Sequence, residues 1–175
     1  SQETEEQTGQ LTIYEQGSPD KVLTSETRID DGLCHHIAYV RTQTQVEAFL
    51  DGESMGTFEI SVPLQASDRI SLGQEWDQDL KTGFFKGTID ELRVWRYART
   101  KEEVKANMNS ELAEISEDLL AYYTFNQGAA EEDNTLSSLL LDATPSKYNG
   151  DLIDFELNGM ESNYISGECI STSTN

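Results

Sequence analysis

Positive charge is what this chain has least of. Its 175 residues hold 12 Lys and Arg against 33 Asp and Glu, a formal charge of −21 at pH 7. Such a surface repels phosphate backbones and anionic lipid, which argues against nucleic acid and membrane partners and favours cations. Long apolar runs are missing as well. No stretch approaches the roughly 18 residues of a membrane span, so no membrane insertion is expected, and the opening residues have neither the basic region nor the apolar segment of a secretion signal. The chain begins at Ser1 and not at Met, from which we expect a processed product or a piece of something longer.

Cysteine is limited to Cys34 and Cys169 and histidine to His35 and His36. The cysteines have no metal-ligand spacing, and two readings stay open: one disulfide tying the polar tail to the body, or a half-buried thiol and a separate tail thiol. Adjacent histidines on a strand point to opposite faces, which excludes a shared metal site. No Ser/His/Asp order, phosphate-cradling glycine loop or zinc spacing occurs. Helical periodicity is nearly absent before residue 100.

What is present is a series of short strands with turn chemistry between them. Residues 1–10 read as a disordered leader or linker remnant, 11–165 as one domain, and 166–175 as a flexible tail. Leu11 and Ile13 alternate with polar neighbours. Val22 to Ile29, His36 to Arg41, Val46 to Leu50 and Glu53 to Ile60 follow as strands, the last two joined across Asp51-Gly52, a two-residue hairpin signal. Ile70 to Gly73 and Ile89 to Tyr97 are expected as strands, with Phe84, Phe85 and Trp95 in the core and Asp79 to Gly83 as loop. Thr100 and Glu103 predict a capping box opening a short helix, and a weaker helix or turn is expected over 110–118. Leu119 to Phe125, Leu139 to Leu141 and Asp151 to Leu157 complete the strands. The expected fold is an all-β, antiparallel two-sheet jelly-roll sandwich with one short helix near 101–109.

Glu75, Asp77 and Asp79 alternate, so an extended backbone puts their carboxylates on one face about 6–7 Å apart, close enough to gather around one cation. Trp76 among them offers a flat ring to a sugar. Asp90 is a further candidate metal ligand, because an inward carboxylate needs a partner; calcium, Arg93, Arg96 or backbone donors would all serve. The same stretch echoes the Glu-x-Asp-x-x-Glu pattern of jelly-roll glucanases, but retaining hydrolysis needs two carboxyls about 5–5.5 Å apart on a rigid strand. No catalytic residue is assigned, and a non-enzyme is expected.

Three runs carry a family resemblance: Gly32-Leu33-Cys34-His35-His36-Ile37-Ala38, then Phe49-Leu50-Asp51-Gly52, then Phe85-Lys86-Gly87-Thr88-Ile89-Asp90-Glu91-Leu92-Arg93-Val94-Trp95 with Ala98-Arg99-Thr100. They resemble the LamG-like jelly rolls of the concanavalin A-like lectin superfamily. The later run Leu120 to Gly128, with Leu141-Asp142 and Ser162 to Ile165, looks like the tail of such modules in large secreted or surface proteins of Bacteroidetes-type bacteria. That resemblance implies an extracellular or cell-surface location. Gly73-Gln74-Glu75-Trp76-Asp77 is also similar to the Gly-Gln-Glu-Gln-Asp calcium loop of pentraxins, with Trp76 in place of Gln. The similarity implies calcium ligation by Glu75 and Asp77 and marks Gln74, beside Trp76, as a ligand contact. The family's opening strands have no counterpart before Leu11; an upstream segment or the Leu120 to Leu157 strands would take their place. The expected function is non-catalytic, calcium-assisted carbohydrate binding or adhesion, with cell-surface glycan and neighbouring domains as partners. The competing expectation is a structural spacer or protein–protein adhesion domain, and a jelly-roll glycoside hydrolase is the third.

Overall fold

The computed structural model describes residues 9–15, 17, 19–60, 63, 70–77, 80–160 and 162–167. Turn chemistry and alternation decide its first half. β1 (Gln10–Glu15) pairs antiparallel with β2 (Lys21–Arg28), and β3 (Ile37–Arg41), β4 (Gln45–Leu50) and β5 (Glu53–Glu59) form an antiparallel meander. Asp51 and Gly52 turn β4 into β5 at φ of 51° and 76°, the doubly positive backbone of a type I′ hairpin. Leu23 of β2 lies so close over Gly56 of β5 that a Cβ there would stand 3.1 Å from it, and Arg41 of β3 reaches Glu15 of β1 at 3.0 Å. Those contacts lay the first pair of strands against the meander.

Val46, Ala48, Phe49 and Leu50 are buried on both faces of β4, and the Val, Phe and Leu side chains each contribute roughly 1.5–3 kcal/mol on burial. β8 (Leu92–Trp95) pairs with β9 (Leu119–Tyr123), whose Leu119, Ala121 and Tyr122 are buried. Between them runs α1 (Lys101–Asn107), the single helix among the described residues. Its start is the expected capping box: the Glu103 amide donates to Thr100 Oγ1 at 3.2 Å and the Thr100 amide to Glu103 Oε2 at 2.8 Å. Val104 turns inward, while Lys105 and Met108 cover Gly52 at the β4–β5 turn.

The remaining pairs are β6 (Glu75–Asp77) with β7 (Leu80–Thr82), and β10 (Leu139–Leu140) with β11 (Gly150–Asp151). Every pairing is antiparallel, and the architecture is the all-β sandwich with one short helix that the strand pattern predicts.

Several local expectations are corrected. Ile70 to Gly73 is not a strand, and Leu80 to Thr82, read as loop, is one because it pairs back on β6. Phe84 and Phe85 are not core: they are 70% and 55% exposed, as they follow the hairpin outward and the Phe85 ring rests on Gly87. Trp95 is only half-buried, with the Arg99 guanidinium 4.0 Å over its ring. The strand expected over 89–97 shrinks to β8 because Glu91 takes φ of 53°, which interrupts extension. No helix forms over 110–118, and the segment expected to be extended over 151–157 breaks after β11, where Asp154 and Leu157 adopt positive φ.

Candidate functional site

The acidic stretch forms the β6–β7 hairpin. Glu75 pairs with Thr82, Trp76 with Lys81 and Asp77 with Leu80, and the Phe85 amide donates to the Gly73 carbonyl at 2.8 Å, lengthening the ladder. The exposed Glu75 takes one long bond, from the Thr82 hydroxyl at 3.3 Å to Oε1, and no ion pair is formed by it among the described residues. Its stem crosses Gly83, where a Cβ would come within 2.9 Å of Glu75 Cγ; Gly83 also has φ of 57°, so only glycine suits this crossing. The Gln74 carbonyl accepts from the Ser71 hydroxyl at 3.1 Å, which closes the turn entering β6. The side chains of Trp76 and Asp77, and all of Asp79, lie outside the described residues.

Two features here are not visible in residue spacing. Lys81 crosses to Asp154 at 2.5 Å and ties the hairpin to the loop after β11, a partner 73 residues away. Leu80 of β7 and Phe84 and Phe85, which follow that strand in the chain, stand exposed. The Gly83-Phe84-Phe85-Lys86-Gly87 run was the available signal, since glycines on both sides allow aromatics to leave a sheet.

Asp90 sits in different surroundings. Its Oδ1 accepts the Glu91 amide at 2.9 Å, so a backbone donor satisfies it. Burial, with Glu91 and Glu111 adding like charge, raises its pKa above the ordinary carboxylate range, against the pull of that amide and Arg93. Next to it lies a buried network. Arg93 and Tyr122 face each other across β8 and β9, Arg93 Nη2 and the Tyr122 hydroxyl both donate to Glu91 Oε2 at 2.5 Å, and Arg93 Nη1 donates to the Asn107 carbonyl at 2.6 Å. Burial and the Glu91 bond push the Tyr122 phenol up to about 12. This network fastens the end of α1 to the β8–β9 pair.

Among the described residues no three of the His, Cys, Asp and Glu side chains are grouped to hold a metal ion, so Glu75 and Asp90 belong to no such group. Glu75 by its chemistry is a hard oxygen donor with no ion-pair partner among the described residues, and calcium takes six to eight such oxygen ligands. Cys34 is in a disulfide, and Cys169 lies outside the described residues.

Comparisons with known proteins bear on this geometry. Residues 2–105 match the Laminin_G_3 family, described as the concanavalin A-like lectin/glucanases superfamily. A rat (Rattus norvegicus) protein, the sushi, von Willebrand factor type A, EGF and pentraxin domain-containing protein 1, is 31% identical over 117 residues, covering 61% of this chain and 3% of that protein. In structure the chain resembles a Bacteroides ovatus ATCC 8483 protein provisionally named a carbohydrate binding protein, with a TM-score of 0.56 and 21% identity over 80% of this chain and 39% of the other. The chain thus spans a small fraction of the rat protein and under half of the bacterial one. The family match extends over more than half of the 175 residues, from the start of the described strands into α1, and the strand pairing agrees with it. The chain belongs to the concanavalin A-like lectin/glucanases superfamily.

Proposed function

We propose that the chain is a non-catalytic, extracellular carbohydrate-binding module whose ligand meets the rim formed by the β6–β7 hairpin. The observation that carries this reading is the hairpin itself: a carboxylate with no ion-pair partner among the described residues, on a strand pair followed directly in the chain by exposed Phe84 and Phe85, on an all-β scaffold. Sugar recognition uses that combination, since hydroxyls bind to oxygen acceptors or a bound cation and the C–H face of the ring packs on an aromatic. The name of the Bacteroides ovatus protein supports the ligand class, and the disulfide at Cys34 fits an oxidising compartment. Glu75, Asp77 and Asp79 are the proposed calcium ligands, with Trp76 and Gln74 as ligand contacts; Asp90, whose Oδ1 already accepts the Glu91 amide, takes the lesser part.

Calorimetry tests the metal. Calcium titrated into the wild type should release heat that is lost in the Glu75→Ala, Asp77→Ala double variant, and equal heats in both would remove the hairpin from any metal site. Calcium at a hundredfold its Kd should also add about 2.7 kcal/mol of stability. A glycan array with and without chelator tests the ligand: binding that disappears on chelation supports the module.

One observation favours a second reading, an adhesive or spacer domain that packs against neighbours. Ile70, Phe84, Leu136 and Met160 are all at least 70% exposed, more apolar surface than a lone module needs. A silent glycan array, with and without calcium, would favour it. Release of reducing ends from a polysaccharide panel would instead indicate a hydrolase.

A further inference from the structure

His35 stands between two carboxylates from different parts of the chain. Its Nδ1 is 2.8 Å from Asp51 Oδ2 at the β4–β5 turn, and its Nε2 is 3.1 Å from Asp31 Oδ1 in the loop before β3. An ionised carboxylate only accepts hydrogen bonds, and a neutral imidazole has a single N–H. Both contacts are therefore hydrogen bonds only when the ring is an imidazolium. We propose that Asp31, His35 and Asp51 form a protonation-dependent clasp, which fastens the 31–36 loop to the β4–β5 turn while His35 is cationic and loosens that loop when it loses its proton.

The surrounding bonds make one unit of the clasp. Asp31 Oδ1 also accepts the Leu33 amide at 2.9 Å, and Asp51 Oδ1 accepts the His36 amide at 2.8 Å, while the Asp51 amide donates back to the His36 carbonyl at 2.8 Å. The loop so held carries Cys34 and its disulfide. The other charges nearby are engaged elsewhere. Arg28 holds Asp30 at 2.5 Å, Glu53 is held by Lys101 at 2.7 Å and by Lys105 from α1, and Arg93 of β8 is bound to Glu91 and faces His36. No second cation reaches the two carboxylates among the described residues.

The direction of the response follows from the partners. Hydrogen bonding to Asp51 is the largest influence on His35, and with Asp31 it raises the pKa above the ordinary 6.5 against the effect of burial. A raised histidine pKa gives stability that is complete below the unfolded value and is lost as pH rises through the folded one. At the acid end, the Leu33 amide and His35 hold Asp31 below the ordinary 3.8, so the Asp31 arm of the clasp persists until pH falls through that depressed value. His36 is an internal control, because burial and Arg93 lower its pKa.

The test is a histidine titration by NMR on the full chain, with amide-exchange protection factors followed in parallel. The two ring signals should separate, His35 above 6.5 and His36 below it. Protection of the Leu33 and His36 amides should fall through the His35 midpoint. Asp51→Asn keeps an oxygen for the His36 amide and a residue suited to the turn, so this variant folds, lowers the His35 midpoint and flattens the change in protection. A His35 midpoint at or below 6.5, or protection that does not change across it, overturns the clasp.

Discussion

Asp142 is the most constrained carboxylate among the described residues. It is 1% exposed, and its oxygens accept from the Tyr122 amide at 3.0 Å, the Thr144 amide at 2.8 Å, the Thr144 hydroxyl at 2.9 Å and the Tyr148 amide at 2.9 Å. Burial alone would raise its pKa, but the Tyr122 and Thr144 donors outweigh burial and hold it below the ordinary 3.8. Asp142→Asn sets an amide N–H against those donors and should cost about 1–3 kcal/mol in urea unfolding at neutral pH. A depressed folded pKa gives stability that is present above the unfolded value and lost as pH falls through the folded one, so the gap between wild type and variant should narrow below pH 3.8. A gap independent of pH would mean the carboxylate's charge plays no part. In the sequence Asp142 is one of 33 acidic residues, and although Leu141-Asp142 belongs to the family-like tail run, no local pattern shows that its carboxylate is enclosed. Its donors come from β9 and from residues 144–148, a convergence that only chain folding produces.

Elements with a local cause were the legible ones. The Asp51-Gly52 turn and the Thr100/Glu103 capping box follow from backbone preference and short-range bonding, and both form as predicted. The turn also has a packing role that spacing could not reveal: a Cβ on Gly52 would stand 2.7 Å from Lys105 Cγ and 3.0 Å from Met108 Sδ of the helix end. Gly52→Ala should thus lose more than about 1 kcal/mol, from the positive φ and from displacing α1, measured as a fall in the urea midpoint. An unchanged midpoint would show that the helix end yields freely. Phe84, Phe85 and the 110–118 segment were misread for the opposite reason. Apolar runs and acidic helix formers indicate what a segment prefers, not which surface is available to cover it. In the candidate site, the acidic stretch itself stands out in the sequence, whereas the Lys81 tether to Asp154 and the Glu91–Arg93–Tyr122 network depend on distant segments.

Across the whole molecule, charge is the dominant physical fact. A formal −21 on 175 residues makes self-repulsion a standing cost of compactness. Salt should relieve it: raising sodium chloride from about 10 mM to about 150 mM, which shortens the Debye length from roughly 30 Å to 8 Å, should raise the melting temperature. A fall would mean that ion pairs such as Lys101 and Lys105 with Glu53 outweigh the repulsion. Calcium should raise the melting temperature beyond an ionic-strength-matched sodium control if the hairpin rim binds it.

Composition, alternation and turn chemistry by themselves determined the all-β class, the meander from β3 to β5 and the capped helix, because each depends on interactions within a few residues; the acidic stretch they singled out was read as a loop, and its hairpin came from the pairing of β6 with β7. The tertiary structure alone decided which carboxylates are solvated and which are enclosed: Glu75 exposed on β6, Asp90 on the Glu91 amide, Asp142 among buried donors, Asp31 and Asp51 on either side of His35. The identity of a side chain sets its charge, but the partners that determine what the charge does are brought to it by the rest of the chain.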